Sequence, residues 1–383
     1  MTTESSILLA PISTLYGAIT ETRLALYRRG ILKPAKLAVP VISVGNITTG
    51  GTGKTPLVEY IARLVAGTGR TVCILTRGYG RENPGDRVLV SDGHTVLAGN
   101  RQAGDEPAML AESLLGIAAV ISDADRFDAG EWAIKELGAE VFILDDGFQH
   151  LQLDRDFNIA VIDATNPWGS RHLLPRGRLR ERPRGLARAD CIILTRADKL
   201  ADLKSLKLEI AQASNNLPLF TSRMRVRELR QLLADAASHA TGWTHRSAPT
   251  IQTSTEVSSP VVVNHRGHNK EEFSIQTWTE VSSPVVAFAG IGNQRSFITL
   301  LKDQGYDPVA TSEFPDHHRY NQSDIDNIVE KAKSKGANAL ITTAKDAVKL
   351  RGLSFQLPCF VLEIEVCIEQ EATFVEMLRA AID

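Results

Sequence analysis

Apolar residues along the chain fall into two rhythms. Short unbroken runs at 37–44, 71–76, 141–144, 159–162, 191–194, 285–289, 339–342 and 359–364 read as buried strands. Between them, apolar positions recur at helical spacing, as in 56–65, 108–115 and 295–305. Strand and helix alternate, which predicts an α/β fold. The rhythm weakens between about 228 and 284. There, 251–262 and 275–286 are nearly the same twelve residues, Ser254 standing where the second copy has Trp278. Two copies cannot build a solenoid, so the duplication reads as a lengthened connector at a domain junction. The expected organisation is a first domain at 1–228, a linker at 229–284 and a smaller α/β domain at 285–383.

The N-terminal segment has its own pattern. Leu8, Ile12, Leu15, Ile19 and Leu26 recur at helical spacing, with Tyr16 and Tyr27 beside them and Pro11 in the first turn. Arg23, Arg28, Arg29, Lys33 and Lys36 follow. Two readings stand: an interfacial helix lying on anionic lipid, or an ordinary helix whose apolar stripe packs on the domain.

Composition narrows the picture. The chain has 383 residues, 43% apolar and 23% charged, a globular balance with room for two domains. A formal net charge of −2 gives no overall attraction to nucleic acid. Cys73, Cys191, Cys359 and Cys367 lie in strand-like runs without metal spacing and read as buried thiols of a reducing compartment. No stretch has transmembrane length and none resembles a signal peptide, so a cytosolic protein, or one on the cytosolic side of a membrane, is expected.

Chemistry concentrates where strands end. The first strand runs into Thr48-Thr49-Gly50-Gly51-Thr52-Gly53-Lys54-Thr55, followed by a helical pattern. Strand, glycine turn and helix make the setting of a P-loop, in which backbone N–H groups cradle phosphates. Lys54 is placed for the β- and γ-phosphates and Thr55 for Mg²⁺. Thr48 stands where the pattern has its first glycine. The run at 141–144 discharges into Asp145-Asp146, the Walker-B arrangement of a Mg²⁺ carboxylate. Arg77-Gly78-Tyr79-Gly80-Arg81 follows the second strand and suits either a phosphate or sugar site or a plain surface loop. In Gly104-Asp105-Glu106-Pro107 the acids either complement a helix dipole or place Asp105 as a general base facing the nucleotide loop. Arg171, Arg176, Arg178, Arg180, Arg182, Arg184 and Arg188 form a concentrated anion site for substrate phosphate or lipid headgroups. Phe314-Pro315-Asp316-His317-His318 reads as a loop whose Asp-His-His cluster is either plain surface or completes a site across a cleft. Thr195-Arg196-Ala197-Asp198 faintly echoes the guanine-reading turn of GTPases. That echo keeps a rival open: a P-loop switch or metallochaperone of the partition-ATPase type.

These stretches together resemble the tetraacyldisaccharide 4′-kinase family of lipid A biosynthesis. The resemblance rests on Ser43-Val44-Gly45-Asn46 through Thr55-Pro56, Arg77–Arg81, Gly104–Pro107 and Asp145-Asp146-Gly147-Phe148-Gln149-His150. It continues through Leu173-Leu174-Pro175 to Leu179-Arg180-Glu181, then Phe314–His318 and Lys345-Asp346-Ala347-Val348-Lys349-Leu350. It departs at Gly169-Ser170-Arg171, Arg176 and Ala344. The resemblance implies a P-loop NTPase-like α/β/α sandwich with a second, smaller α/β domain joined by a β-linker. It implies ATP and Mg²⁺, and phosphorylation of the 4′-hydroxyl of a tetraacylated glucosamine disaccharide 1-phosphate. Carried onto this chain, Thr48 to Thr55 bind nucleotide, Thr55, Asp145 and Asp146 hold the metal, and Lys54 and Asp105, with His317, do the chemistry. Arg77, Arg81, Glu106, Arg126, His150, Arg180 and Glu181 contact substrate or support the site. A peripheral enzyme on the cytoplasmic face of the bacterial inner membrane is implied, touching its anionic surface; no nucleic-acid partner and a monomeric state are expected.

Overall fold

The computed structural model describes residues 9–200, 202–232 and 284–383. The duplicated connector 251–286 lies outside them apart from 284–286, which enter a strand. The chain opens with α1 (Ala10–Arg28), then β1 (Val41–Gly45), α2 (Lys54–Ala66), β2 (Val72–Thr76) and β3 (Val88–Ser91). It continues through α3 (Asn100–Ala103), α4 (Asp105–Ser113), β4 (Ala118–Ser122), α5 (Arg126–Leu137), β5 (Val141–Asp145) and β6 (Phe157–Asp163). After β7 (Cys191–Thr195) and α6 (Leu203–Ser214) comes the long β8 (Leu219–Gln231). The last third holds β9 (Val285–Ala289), α7 (Gln294–Asp303), β10 (Ala310–Glu313), α8 (Gln322–Ser334), β11 (Ala339–Thr343), α9 (Ala344–Ala347), β12 (Cys359–Ile368) and α10 (Glu371–Ile382).

The twelve strands of the described residues share one sheet, ordered β10-β9-β11-β12-β8-β7-β6-β1-β5-β2-β4-β3. Neighbours run parallel except β3 against β4 and β8 against β12. The β8·β12 pair therefore joins two parallel halves running in opposite senses. Its register sets how those halves face each other. β8 meets β7 through its first residues, Leu219 to Ser222, while β12 meets β11 through its own first residues, Cys359 to Leu362. The two attachment points lie at opposite ends of the ribbon, with Ser222 opposite Ile368 and Gln231 opposite Phe360. Each half thus points the carboxyl ends of its strands toward the other. In open α/β sheets ligands bind beyond those ends, and here two such edges share one cleft.

Helices cover both faces of either half. Leu57, Val58 and Ile61 of α2, Leu110 of α4 and Phe374, Leu378 and Ile382 of α10 pack on one face of the first half. Ala129 and Ala133 of α5 pack on the other. The last helix thus returns to the core where the chain began. Phe297 and Leu301 of α7 and Ile325 and Ile328 of α8 cover the second half. Of the cysteines, Cys73, Cys191 and Cys359 are buried as expected, whereas Cys367 is only half-buried.

The first helix departs from the expectation of an apolar stripe packed on the domain. α1 lies down by its small and polar face. Ser13 is buried and its hydroxyl donates to the Leu173 carbonyl at 2.8 Å, and Gly17 packs against the Leu173 side chain. Glu21 pairs with Arg182 at 2.5 Å and Arg184 at 2.6 Å. Ile12, Leu15 and Ile19 consequently face outward, each more than half exposed. No helix among the described residues is long and apolar enough to cross a membrane.

Candidate active site

The phosphate loop links β1 to α2. Gly53 caps the helix with φ 85, a left-handed conformation that favours glycine. Neighbouring elements hold the loop from both flanks. On one, Thr49 N–H donates to Arg178 O and Arg180 N–H to Ile47 O, both at 2.8 Å. On the other, the Thr195 hydroxyl donates to Thr52 O and the Arg196 guanidinium to Gly51 O, both at 2.9 Å, while Arg196 also pairs with Asp163. The turn at 195–198 that echoes a guanine reader therefore uses its first two side chains to brace the P-loop backbone. Beneath the loop, Asn46 donates to Thr52 Oγ1 at 3.0 Å and accepts from Lys54 Nζ at 3.2 Å.

β5 delivers the acid pair beside this loop. Asp145 is buried at the strand's end, and burial together with the neighbouring Asp146 charge pushes its carboxyl up to about 6. Asp146, at φ 53, turns toward Lys54 at 3.5 Å and Arg180 at 2.7 Å. Although burial opposes its charge, those two cations hold its carboxyl below the usual range. Its buried Oδ1 has only the 3.5 Å ion pair with Lys54, while Oδ2 takes Arg180. Two adjacent carboxylates at the end of β5, one of them buried and raised by its neighbour's charge, fit a hard divalent cation such as Mg²⁺. Among the described residues no three acids, histidines or cysteines are grouped so as to hold a metal ion by themselves.

A second layer supports these groups. Gln149 donates to Asn46 O and to Glu181 Oε1, both at 2.7 Å, and accepts from Arg180 at 3.2 Å. Glu181 is 3% exposed and paired with Arg188, whose guanidinium lies 3.7 Å from the centre of the Phe148 ring. Arg126, buried at the start of α5, meets His150 Nδ1 at 3.0 Å. Burial, Arg126 and Arg155 push His150 down to about 3. The neutral imidazole therefore accepts from Arg126, which can only donate.

The opposite wall begins at α4. Gly104, at φ 99, packs against Gly78 and Tyr79 of the second-strand loop, and a Cβ on Gly78 would strike the Ser122 hydroxyl and Ala103 carbonyl. This close contact sets the N-terminus of α4, hence Asp105. From the far half, the loop after β10 presents His317 at φ 62. Its Nδ1 lies 3.1 Å from Asp105 Oδ2, so residues 212 positions apart meet across the cleft. Lys345 reaches Glu106 at 3.0 Å and Asp316 at 3.2 Å, and the buried Lys349 lies 3.8 Å from Asp105 and 3.1 Å from Asp346.

Two expectations change. Arg81 is buried and donates to Ser122 O at 2.8 Å and to Pro84 O, so it fastens its own loop, whereas Arg77 stands exposed at the end of β2. The arginine-dense segment is not an open anion patch. Arg171, Arg180, Arg182, Arg184 and Arg188 each have a carboxylate partner, from Glu209, Asp146, Glu21 (twice) and Glu181. Apart from Glu181 these acids come from distant elements, which local charge counting cannot see. Asn46, Gln149, Arg196, Lys345 and Lys349 join the site, although the sequence assigns none of them a role by itself. Only their position beside strand ends or inside a matching motif could have flagged them.

A phosphate loop, a Walker-type acid pair and a carboxylate–imidazole pair beyond the carboxyl ends of a sheet define a P-loop phosphotransferase. The family model for tetraacyldisaccharide-1-P 4′-kinase matches residues 5–383, and the chain belongs to that family of kinases. A tetraacyldisaccharide 4′-kinase of Pelobacter propionicus is 36% identical over 97% of this chain and 91% of its own. One from Desulfotalea psychrophila is 36% identical over 91% and 89%. The structure of LpxK from Aquifex aeolicus in complex with ATP superimposes with a TM-score of 0.72 at 30% identity, covering 99% of both chains. Family membership sets aside the switch or metallochaperone alternative.

Proposed function

We propose that the protein transfers the γ-phosphoryl group of ATP to the 4′-hydroxyl of a tetraacylated glucosamine disaccharide 1-phosphate, a step of lipid A biosynthesis. One observation carries the catalytic part of this reading: Asp105 and His317, 3.1 Å apart, meet where the P-loop edge faces the second half. Phosphoryl transfer has a loose transition state, so alignment and charge neutralisation dominate. Residues Thr48 to Thr55 bind the nucleotide phosphates, and Lys54 follows the negative charge of the γ-phosphoryl. Thr55, Asp145 and Asp146 would hold Mg²⁺, which supplies further neutralisation there. Asp105 accepts the proton of the sugar hydroxyl. An ordinary aspartate, with a pKa of about 3.9, is a weak base, so the imidazole that orients it matters. Arg126, His150, Arg180, Glu181 and Gln149 keep the acid pair and its surroundings fixed, and Arg77 and Glu106 flank the acceptor. The decisive assay is transfer of radiolabelled γ-phosphate from ATP to a lipid A disaccharide precursor. Nucleotide hydrolysis that ignores the disaccharide, with no labelled lipid formed, would overturn the reading.

The acceptor's acyl chains and the outward row Ile12, Leu15 and Ile19 support a peripheral position on the cytoplasmic face of the inner membrane, against its anionic surface. Replacing those three residues by serine should weaken sedimentation with anionic phospholipid vesicles while phosphoryl transfer to a detergent-dispersed acceptor persists. Undiminished vesicle binding would count against it.

A further inference from the structure

Lys345 Nζ stands among three groups from both sides of the cleft. It lies 3.0 Å from Glu106 Oε1, 3.2 Å from Asp316 Oδ1 and 3.5 Å from His317 Nε2. We propose that Lys345 is a positioning residue that fixes His317 as the tautomer whose Nδ1–H donates to Asp105. The inference rests on the proposed Asp105–His317 pair and adds the device that sets it.

The chemistry is directional. An ammonium has only hydrogens to offer, so the ring nitrogen it faces must supply a lone pair. In a neutral imidazole the proton then sits on the other nitrogen, here Nδ1, which faces Asp105 Oδ2 at 3.1 Å. A competitor is close by: Asp316 Oδ2 lies 3.9 Å from Nε2 and would draw the proton to that side. Lys345 binds the same carboxylate through Oδ1, and its positive charge weakens Oδ2 as a competing acceptor. The charged groups at His317 are Asp105 from α4, Asp316 from its own loop and Lys345 from α9; Glu106 and Lys349 lie one step further out, against Lys345 and Asp105. Burial works against the Lys345 ammonium, yet Glu106 and Asp316 more than compensate and keep it charged. Both His317 and Lys349 approach Oδ2 of Asp105, which leaves Oδ1 to take a hydroxyl proton. Because Lys345 also grips Glu106, the tautomer depends on contacts from both halves.

A double-mutant cycle between Lys345→Met and His317→Ala separates this role from a merely structural one. Lys345→Met should lower kcat by about 10- to 100-fold, leaving KM for ATP within about twofold. In the His317→Ala background the same substitution should cost nothing further. Equal losses in both backgrounds, or a loss confined to KM, would overturn the proposal. If His317→Ala alone kept full turnover, the dyad itself would fall, a distinguishable result. Ring ¹⁵N shifts of His317, assigned by their absence in His317→Ala, give a second readout at a pH where the ring is neutral. The Nδ1–H tautomer is expected in the wild type and a shift toward Nε2–H in Lys345→Met; an unchanged tautomer would refute the proposal.

Discussion

On the edge formed by β1, β5 and β7, polar groups are held by backbone atoms and by one another: Thr49 and Arg180 zip the loop to its neighbour, and Thr195 and Arg196 hold its carbonyls. The edge formed by β9 and β11 offers long side chains instead, His317 and Lys345, reaching over from a loop and a one-turn helix. The first edge is complete within its own half. The second acquires meaning only when it touches Asp105 and Glu106. The nucleotide cradle therefore draws on one half alone, whereas the base and its imidazole need residues from both.

The largest test breaks the second edge and spares the first. Asp105→Ala and His317→Ala should each lower kcat by roughly two to four decades while ATP binding, followed by calorimetry, is kept. Lost nucleotide affinity in His317→Ala would mean that the two edges are not separable as described. The converse change loosens the first edge. Arg196→Met removes the guanidinium from Gly51 O and Asp163 and should raise KM for ATP about tenfold with a smaller change in kcat. An unaltered KM would show that the loop holds its shape without that brace.

The smallest effect lies at the junction. Glu59 of α2 sits between Ser113 at the end of α4 and the Arg227 and Glu363 side chains of the ribbon, and burial pushes its carboxyl up to about 7. A carboxyl raised on folding contributes stability at low pH, and that contribution is lost as pH rises from its ordinary range through about 7. Glu59→Gln should therefore flatten the fall in unfolding free energy between pH 5 and 8 by about 1 kcal/mol, measured by urea denaturation. An identical pH slope in variant and wild type would remove Glu59 from the account.

How much of the molecule is legible in its sequence depends on distance along the chain. Thr48 to Thr55 and Asp145-Asp146 are local patterns, strand then turn, and their chemistry follows from backbone geometry that a short sequence already fixes. The arginine-dense segment reads falsely as a free anion site because its partners Glu21, Asp146 and Glu209 come from elements far away. The first helix misleads for a related reason. Its periodicity marks an apolar face, but whether that face meets the domain or the outside is decided by the Ser13 and Glu21 contacts.

The sequence by itself determined that this is an α/β phosphate-loop protein, and its ordered motifs identified the kinase family. Both facts reside in short windows, where φ freedom at glycine, hydrophobic period and the reach of one side chain suffice. Only the tertiary structure decided that β8 and β12 run antiparallel with their parallel neighbours at opposite ends, so that two carboxyl edges confront each other. That register joins Asp105 to His317, because contacts between distant segments depend on the packing of the whole sheet, which no local stretch encodes.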